Sequence, residues 1–229
     1  MRFARTLGTK DSFINTIGQP SPPAASCEAG APSGAASANQ YWEERKDILY
    51  YQVVRTITGH ISKRAKSIID VGSAGCPYLD WFGHIPQRTS IDLTRPYEAE
   101  GVSSYTGDFL KWKADRHYDI VTCLQVLEHV PDAAAFAQKL LSLGKVVVVS
   151  VPYKWPAGKT KSHVHDPVDE GKLLSWFGRR PNFEYICREV KAPVERIVQV
   201  YDEFPDSWSA LNRRDGIIAE LKAKSSAKV

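Results

Sequence analysis

The sequence predicts one α/β domain: a doubly wound, mostly parallel seven-stranded sheet with helices on both faces and a C-terminal antiparallel β-hairpin. Short apolar runs bounded by Gly, Asp or Pro are typical of buried parallel strands, and here they alternate with helical patterns. The last two runs are separated only by residues 191–195, which is short enough for a hairpin. The predicted strands are 67–71, 89–93, a weak strand around Tyr105, 118–124, 145–151, 183–190 and 196–201.

Three helices are predicted within this domain. Apolar residues recur at near-helical spacing from Ile48 to Ile61, which indicates an amphipathic helix over 41–61. Further helices are predicted over 126–143 and 168–177.

The ends of the chain have a different composition from its centre. Residues 18–39 are almost entirely Gly, Pro, Ala and Ser, so residues 1–39 are predicted to be a disordered N-terminal tail. The folded domain is expected to cover 40–203. Residues 204–229 are predicted to form a C-terminal helix and a basic tail.

Composition excludes several classes of protein. The net charge of +4 comes from 30 basic and 26 acidic residues scattered along the chain, so nucleic acid is not an expected partner. The four cysteines are far apart and form no CxxC pair, which favours neither a zinc site nor disulfides, and no metal site is assigned. No apolar stretch reaches the roughly 20 residues that cross a bilayer. A cytoplasmic protein is the resulting prediction.

The segment after the first predicted strand has the small residues of a ligand-binding turn. Ligands of doubly wound sheets bind beyond the carboxyl ends of the strands, where strand order reverses. Asp70, Gly72 and Gly75 lie there, and small residues let the backbone approach a ligand closely. The alternative is a turn that serves only strand-to-helix packing.

Two further acidic residues end the next strands. Asp92 follows Asp70 by 22 residues, a separation at which a carboxylate can accept hydrogen bonds from ribose hydroxyls. Asp108 follows the third strand, where it could accept from an adenine amine while Phe109 covers the ring. Each aspartate could instead be a cap or a solvated turn residue.

These segments resemble the successive motifs of S-adenosylmethionine (SAM)-dependent methyltransferases with a Rossmann-like fold. The most specific match is residues 124–132, with the sequence LQVLEHVPD, and the resemblance spans about 41–201. It implies SAM as cofactor and a methyltransferase activity. By this resemblance the cofactor-binding residues are Asp70 in the first motif, Gly72 and Gly75 at the methionine part of SAM, Asp92 at the ribose, Asp108 and Phe109 at the adenine, and Gln125 at the sulfonium region.

The glycine loop departs from the family pattern. Ala74 and Cys76 stand where the family usually has its second and third glycines, so Gly75 is expected to supply the flexibility in a shifted register. Glu128 and His129 are neighbours in the post-strand motif. Adjacent residues on a helix do not face each other, so we expect packing and orienting roles for this pair.

The methyl acceptor is expected to bind at the loop after the fifth strand. An alcohol acceptor needs a general base, and His163 and His165 are the candidates, either as a base or as ligands that help to bind a divalent metal. The alternative is that both are surface histidines and that Asp166 caps the following helix. Other candidates for this side of the site are Tyr153, Trp155 and, as a lid, Tyr41 with Trp42.

The function predicted from these features is O-methylation of a hydroxyl on a small molecule or glycan, such as a sugar of a bacterial saccharide or lipo-oligosaccharide. Aromatic side chains suit stacking on sugar or aromatic rings, and the chain has six Trp and ten Tyr. One alternative is methylation of a quinone precursor or another phenol. Another is a non-catalytic module that binds SAM or a protein partner.

Overall fold

A computed structural model describes residues 40–190 and 192–203 of the chain. The predicted N-terminal tail over 1–39 and the predicted C-terminal helix and basic tail over 204–229 lie outside the described residues. Within the described part, seven strands form one sheet in the order β3-β2-β1-β4-β5-β7-β6. Strands β1 to β5 run parallel, and β7 is antiparallel to both β5 and β6. The predicted fold class is confirmed.

The element bounds agree closely with the predicted pattern, since β1 and β4 have the predicted limits and the other strands shift by a few residues. The strands are β1 Ser67–Val71, β2 Gln87–Asp92, β3 Val102–Thr106, β4 Tyr118–Leu124, β5 Gly144–Pro152, β6 Phe183–Arg188 and β7 Glu195–Asp202. The helices are α1 Leu49–Ile61, α2 Ala133–Leu143 and α3 Glu170–Phe177, with 3₁₀ turns at Tyr78–Phe82 and Leu127–His129.

The central strands are buried on both faces, which explains why apolar residues occupy consecutive positions in them. All five residues of β1 are buried, as are all but one in each of β4 and β5. One core cluster packs between the sheet and helices α2 and α3. A second lies on the opposite face beneath α1 and the Tyr78–Phe82 turn. This arrangement leaves the carboxyl ends of β1 and β4, between which the strand order reverses, as the expected ligand crevice.

The prediction of one helix over 126–143 is wrong, because the chain breaks into a 3₁₀ turn and helix α2. Pro131 disfavours a helical conformation for the residue before it, and Val130 is extended, with φ −88° and ψ 121°. Asp132 then starts α2 by accepting a hydrogen bond from the amide of Ala135 at 2.9 Å. The break places Glu128 and His129 on a separate turn beside the sheet edge.

The other two predicted helices begin later than expected. The 41–61 pattern divides into a helical turn at 40–43 and helix α1. Helix α3 begins at Glu170 and is capped by Asp169, whose carboxylate accepts from the amide of Lys172. The alternative in which Asp166 caps this helix is therefore wrong. Across the described residues, no helix is both long and apolar enough to span a membrane.

Candidate active site

The loop after β1 adopts a backbone that favours glycine at three positions. Gly72, Ala74 and Gly75 have φ values of 84°, 50° and 78°. Ala74 thus takes the left-handed conformation itself at the position where glycine was expected, with the strain that a side chain adds there. Gly72 also allows close packing, because an added Cβ would lie 2.4 Å from Cγ2 of Val126 beyond β4.

Asp92 faces this loop from the end of β2. Its Oδ2 accepts a hydrogen bond from the Ala74 amide at 2.9 Å, while Oδ1 accepts from the amides of Thr94 and Arg95, each at 2.9 Å. Oδ1 also accepts from the Thr94 hydroxyl at 3.4 Å, so the capacity to accept a further hydrogen bond lies on Oδ2. The structure therefore places Asp92, the residue predicted to bind the ribose, against the glycine loop.

Asp70 is the buried carboxylate at the end of β1. It is 1% exposed, and its Oδ1 accepts from the Thr122 hydroxyl at 2.6 Å. Its Oδ2 has no hydrogen-bond partner among the described residues. Burial raises the pKa of this carboxyl to about 7, and the nearby charge of Asp92 adds to the effect. This buried oxygen next to the glycine loop thus keeps an unused hydrogen-bonding position.

The turn after β3 is tied to the same edge, since the amide of Gly107 donates to the Asp92 carbonyl at 2.8 Å. Asp108 accepts from the Leu110 amide at 2.9 Å, a bond that lowers its pKa. Phe109 is only 5% exposed and packs on Phe136 with ring centroids 4.6 Å apart. Its predicted role in covering adenine stays a prediction, and Leu110 is the more exposed apolar side chain of this turn, at 38%.

Gln125 is held in an unusual backbone conformation, with φ 58°, directly after β4. Its amide nitrogen Nε2 donates to the Ser150 hydroxyl at 3.2 Å, and its Oε1 accepts from Arg196 Nε at 3.3 Å. The Tyr50 hydroxyl also contacts the Ser150 hydroxyl. Three elements thus fix the side chain predicted to border the sulfonium.

Sequence reasoning missed Arg196 and Glu189, which support this arrangement from the C-terminal hairpin. Arg196 pairs with Glu189 at 3.1 Å, and the Glu189 carboxylate accepts from the amides of Leu49 and Tyr50 at the start of α1. No local motif predicts these contacts, because the partners are about 70 and 140 positions apart. They join α1 to the hairpin beside Gln125.

His163 and Asp166 form a buried pair in the loop after β5. His163 Nδ1 lies 2.7 Å from Asp166 Oδ2, and the side chains are 6% and 1% exposed. Trp155 stacks on the His163 ring at a centroid distance of 5.9 Å. The amide of Val164 donates to the Glu128 carbonyl at 2.9 Å, so this loop folds back onto the turn after β4.

Glu128 and His129 converge on the same place. Glu128 Oε1 lies 3.9 Å from His129 Nε2, and the His129 ring is 4.7 Å from the His163 ring. The expectation that these neighbours would not face each other is wrong: it assumed one continuous helix, whereas the segment is a three-residue 3₁₀ turn that ends at Val130. Burial raises the pKa of Glu128 to about 8 and lowers the pKa of His129.

His165 has different surroundings from His163, although the alternate positions suggested a shared face. Its Nε2 donates to the Val130 carbonyl at 2.7 Å, and its ring packs edge-on against Trp176 at 5.0 Å. It therefore lies towards α3, and His163 is the member of the predicted pair that joins Glu128 and His129.

The remaining predicted aromatic residues make contacts of their own outside the cluster of Glu128, His129 and His163. The Tyr153 hydroxyl donates to Glu170 at 2.7 Å, and Tyr153 stays half-buried. Trp42 packs against the rings of Tyr51, Tyr78 and Trp81, while Tyr41 is 37% exposed.

The chain matches a protein family over most of the described residues. The model of a family described as "Methyltransferase domain" matches residues 41–190. The chain belongs to this family. It is a SAM-dependent methyltransferase, which sets aside the non-catalytic alternative.

One curated relative of the methyltransferase is distant in sequence. The chain is 27% identical over 128 residues to a ubiquinone biosynthesis O-methyltransferase of Stutzerimonas stutzeri (strain A1501), a match that covers 48% of the chain. The match spans about half of that curated relative, 55% of its length.

Solved structures of other methyltransferases share the fold. One is the N-methyltransferase NodS of Bradyrhizobium japonicum WM9 with S-adenosylhomocysteine (SAH), with 12% identity, a TM-score of 0.57, and coverage of 70% of this chain and 90% of that one. Another is the Burkholderia thailandensis 1,6-didemethyltoxoflavin-N1-methyltransferase with 1,6-didemethyltoxoflavin and SAH, with 17% identity, a TM-score of 0.56, and coverage of 73% and 84%.

The residues of the methyltransferase fit the nucleoside-bearing cofactor. The unsatisfied Oδ2 of Asp70, the left-handed loop at Gly72 and the remaining acceptor capacity of Asp92 all lie at the edge where the strand order reverses. When SAM is bound, it supplies a methyl group activated by a positively charged sulfur. The predicted contacts of Gly75, Asp108 and Gln125 with SAM stay predictions.

Proposed function

We propose that this methyltransferase transfers a methyl group to a hydroxyl oxygen of a small molecule or glycan. The observation that carries the proposal is the buried His163–Asp166 pair in the loop after β5. The His163 ring of this pair contacts the His129 ring. A hydroxyl must lose its proton as the new bond forms, and a positioned base contributes about 10²- to 10⁴-fold to such a step. A neutral amine attacks with its own lone pair and depends less on a general base.

The pair has the arrangement of an oriented base. The Nδ1–H of His163 donates to Asp166, so Nε2 carries the lone pair that can take a proton. The carboxylate then stabilises the imidazolium. In the transfer an O–C bond forms and the C–S bond breaks, with its electron pair going to sulfur, while the hydroxyl proton moves to His163 Nε2.

The acceptor class follows from the surroundings of this pair. Trp155 stacks on the His163 ring, and an aromatic side chain at this place suits stacking on a sugar or an aromatic ring. The scattered charge favours a small molecule or glycan over nucleic acid, and a sugar of a bacterial saccharide or lipo-oligosaccharide meets these requirements. We place the enzyme in the cytoplasm.

A phenol of a quinone precursor is the second candidate. The curated relative from Stutzerimonas stutzeri is named as an O-methyltransferase of ubiquinone biosynthesis, and its match includes about half of this chain. A phenol also needs a base near neutral pH, because its ordinary pKa is about 10.

The test is an acceptor panel with SAM carrying a labelled methyl group. Sugars, phenols and amines are offered separately, and label recovered in a methyl ether on a sugar supports the first candidate. Label on a phenol selects the second. Label recovered only on amines would overturn O-methylation by either route.

A further inference from the structure

We propose that Glu128, His129 and His163 bind a divalent transition-metal ion, with Asp166 fixing the orientation of His163. One ligand atom from each of these three residues can be chosen so that all lie within 4.8 Å of one another. Ligands of one ion with bonds of about 2.0–2.2 Å are about 3–4 Å apart. Side-chain movements of about 1 Å therefore close the site.

Both imidazoles are already held as metal ligands usually are. A metal-bound histidine typically donates its other ring N–H to a carboxylate or a backbone carbonyl. His163 Nδ1 lies 2.7 Å from Asp166 Oδ2, and His129 Nδ1 lies 3.0 Å from the Ser162 carbonyl. Each ring therefore presents Nε2 as the nitrogen with a lone pair, and His129 Nε2 faces the Glu128 carboxylate.

Two buried carboxylate oxygens at this place have no partner among the described residues. They are Oε2 of Glu128 and Oδ1 of Asp166, and both side chains are 1% exposed. Burying an unpaired carboxylate is costly, and buried charges are normally paired or bound to metals. A cation among Glu128, His129 and His163 would supply the missing partner of Glu128 Oε2. His129 is 33% exposed, so one side of the site stays open.

The ligand set decides the class of ion. Two imidazoles and one carboxylate suit zinc, manganese or iron, whereas magnesium and calcium prefer oxygen ligands. Three protein ligands with an open side are typical of a catalytic metal centre, in which the remaining position holds water or substrate.

The site deepens the proposed function and rests on it for its role in the reaction. An ion at this place would bind the acceptor hydroxyl and lower its pKa. The hydroxyl proton would then pass to solvent water and not to His163, because His163 Nε2 would be a metal ligand.

The experiment measures metal binding directly. The purified protein is freed of metal with a chelator and titrated with Co²⁺, followed by calorimetry and by the visible absorption of the bound ion, with Zn²⁺ as competitor and Mg²⁺ as the oxygen-preferring comparison. We expect Co²⁺ to bind and Zn²⁺ to displace it. His129→Ala, His163→Ala and Glu128→Gln should each weaken binding by more than about 100-fold, and Asp166→Asn by about 10- to 100-fold.

Two matched variants keep the test specific. His117→Ala removes an exposed histidine and should retain binding, as should His165→Ala, whose ring packs on Trp176. SAH affinity, measured for every variant, checks that the protein is folded. Absence of Co²⁺ binding by the parent, or a loss with His165→Ala as large as with His129→Ala, would overturn the metal site.

The two proposals fail separately. If Co²⁺ does not bind but label still reaches a hydroxyl, the metal site is excluded and O-methylation stands. If Co²⁺ binds as expected but label reaches only amines, the ion site stands and O-methylation is excluded.

Discussion

Gly72 and Val126 leave no space between the segments that follow β1 and β4. A Cβ built on Gly72 would lie 2.4 Å from Val126 Cγ2, and Gly72 also has a φ of 84°, which side chains rarely adopt. The two segments flank the point where the strand order reverses. The close packing at the floor of the expected cofactor crevice is therefore possible only because residue 72 is glycine.

Replacing Gly72 with alanine should destabilise the protein and weaken SAH binding. The left-handed conformation and the overpacking against Val126 together cost about 2–4 kcal/mol. Chemical unfolding and calorimetric SAH titration measure the two effects. The matched change is Gly59→Ala in helix α1, where an added Cβ meets nothing within 4 Å. It should stabilise the protein by about 0.5–1 kcal/mol, and equal effects of the two substitutions would contradict the argument.

The sequence predicts the strands well because burial on both faces leaves a simple signal. Strands β1 and β4 match their predicted limits, since each has apolar residues at consecutive positions and ends at a turn. The prediction of one helix over 126–143 is wrong because the apolar pattern continues through the break. Pro131 breaks the helix through its effect on the backbone of the residue before it, which the apolar pattern does not show.

The candidate site could be predicted only in part. Asp92 meets the glycine loop as expected, because strand ends of a parallel sheet meet at one edge. The convergence of Glu128, His129 and His163 depends on how the loop after β5 folds back, through the bond from the Val164 amide to the Glu128 carbonyl. Such long-range loop contacts leave no periodic signal in a single sequence.

Asp92→Ala should weaken SAH binding strongly. The change removes the acceptor predicted for the ribose and also the bond that orients the Ala74 amide. Charge-assisted hydrogen bonds contribute about 1.5–3 kcal/mol each, so we expect a loss of affinity of at least about 10-fold by calorimetry. Asp47→Ala, which removes an exposed carboxylate, is the control. Unchanged affinity in Asp92→Ala would show that the nucleoside does not bind at this edge.

His163→Asn should lower turnover by about 100-fold or more while SAH affinity is retained. Asparagine can still donate to Asp166, so the buried carboxylate keeps a partner, but Nε2 is lost. Rates with labelled SAM at saturating acceptor give the measurement.

His165→Ala provides the comparison, because both histidines were predicted as bases from the sequence. We expect a much smaller loss of turnover, since His165 Nε2 donates to the Val130 carbonyl. A larger loss in His165→Ala than in His163→Asn would reverse the assignment.

Asp70 should make the stability of the ligand-free protein fall as pH rises. Burial raises its pKa to about 7 from an ordinary value of 3.8, so the folded state favours the protonated form. Its contribution is fully present below the unfolded pKa and is lost as pH rises through 7, with a slope of about 1.4 kcal/mol per pH unit between the two values.

Asp70→Asn keeps an oxygen for the Thr122 hydroxyl but does not titrate. The free energy of unfolding of the parent, minus that of Asp70→Asn, should therefore decrease by about 2 kcal/mol from pH 5 to pH 7 in urea titrations. The same subtraction with Asp47→Asn controls for the loss of one charge, and a difference for Asp70→Asn that does not change with pH would show that this carboxyl is ionised in the folded protein throughout the range.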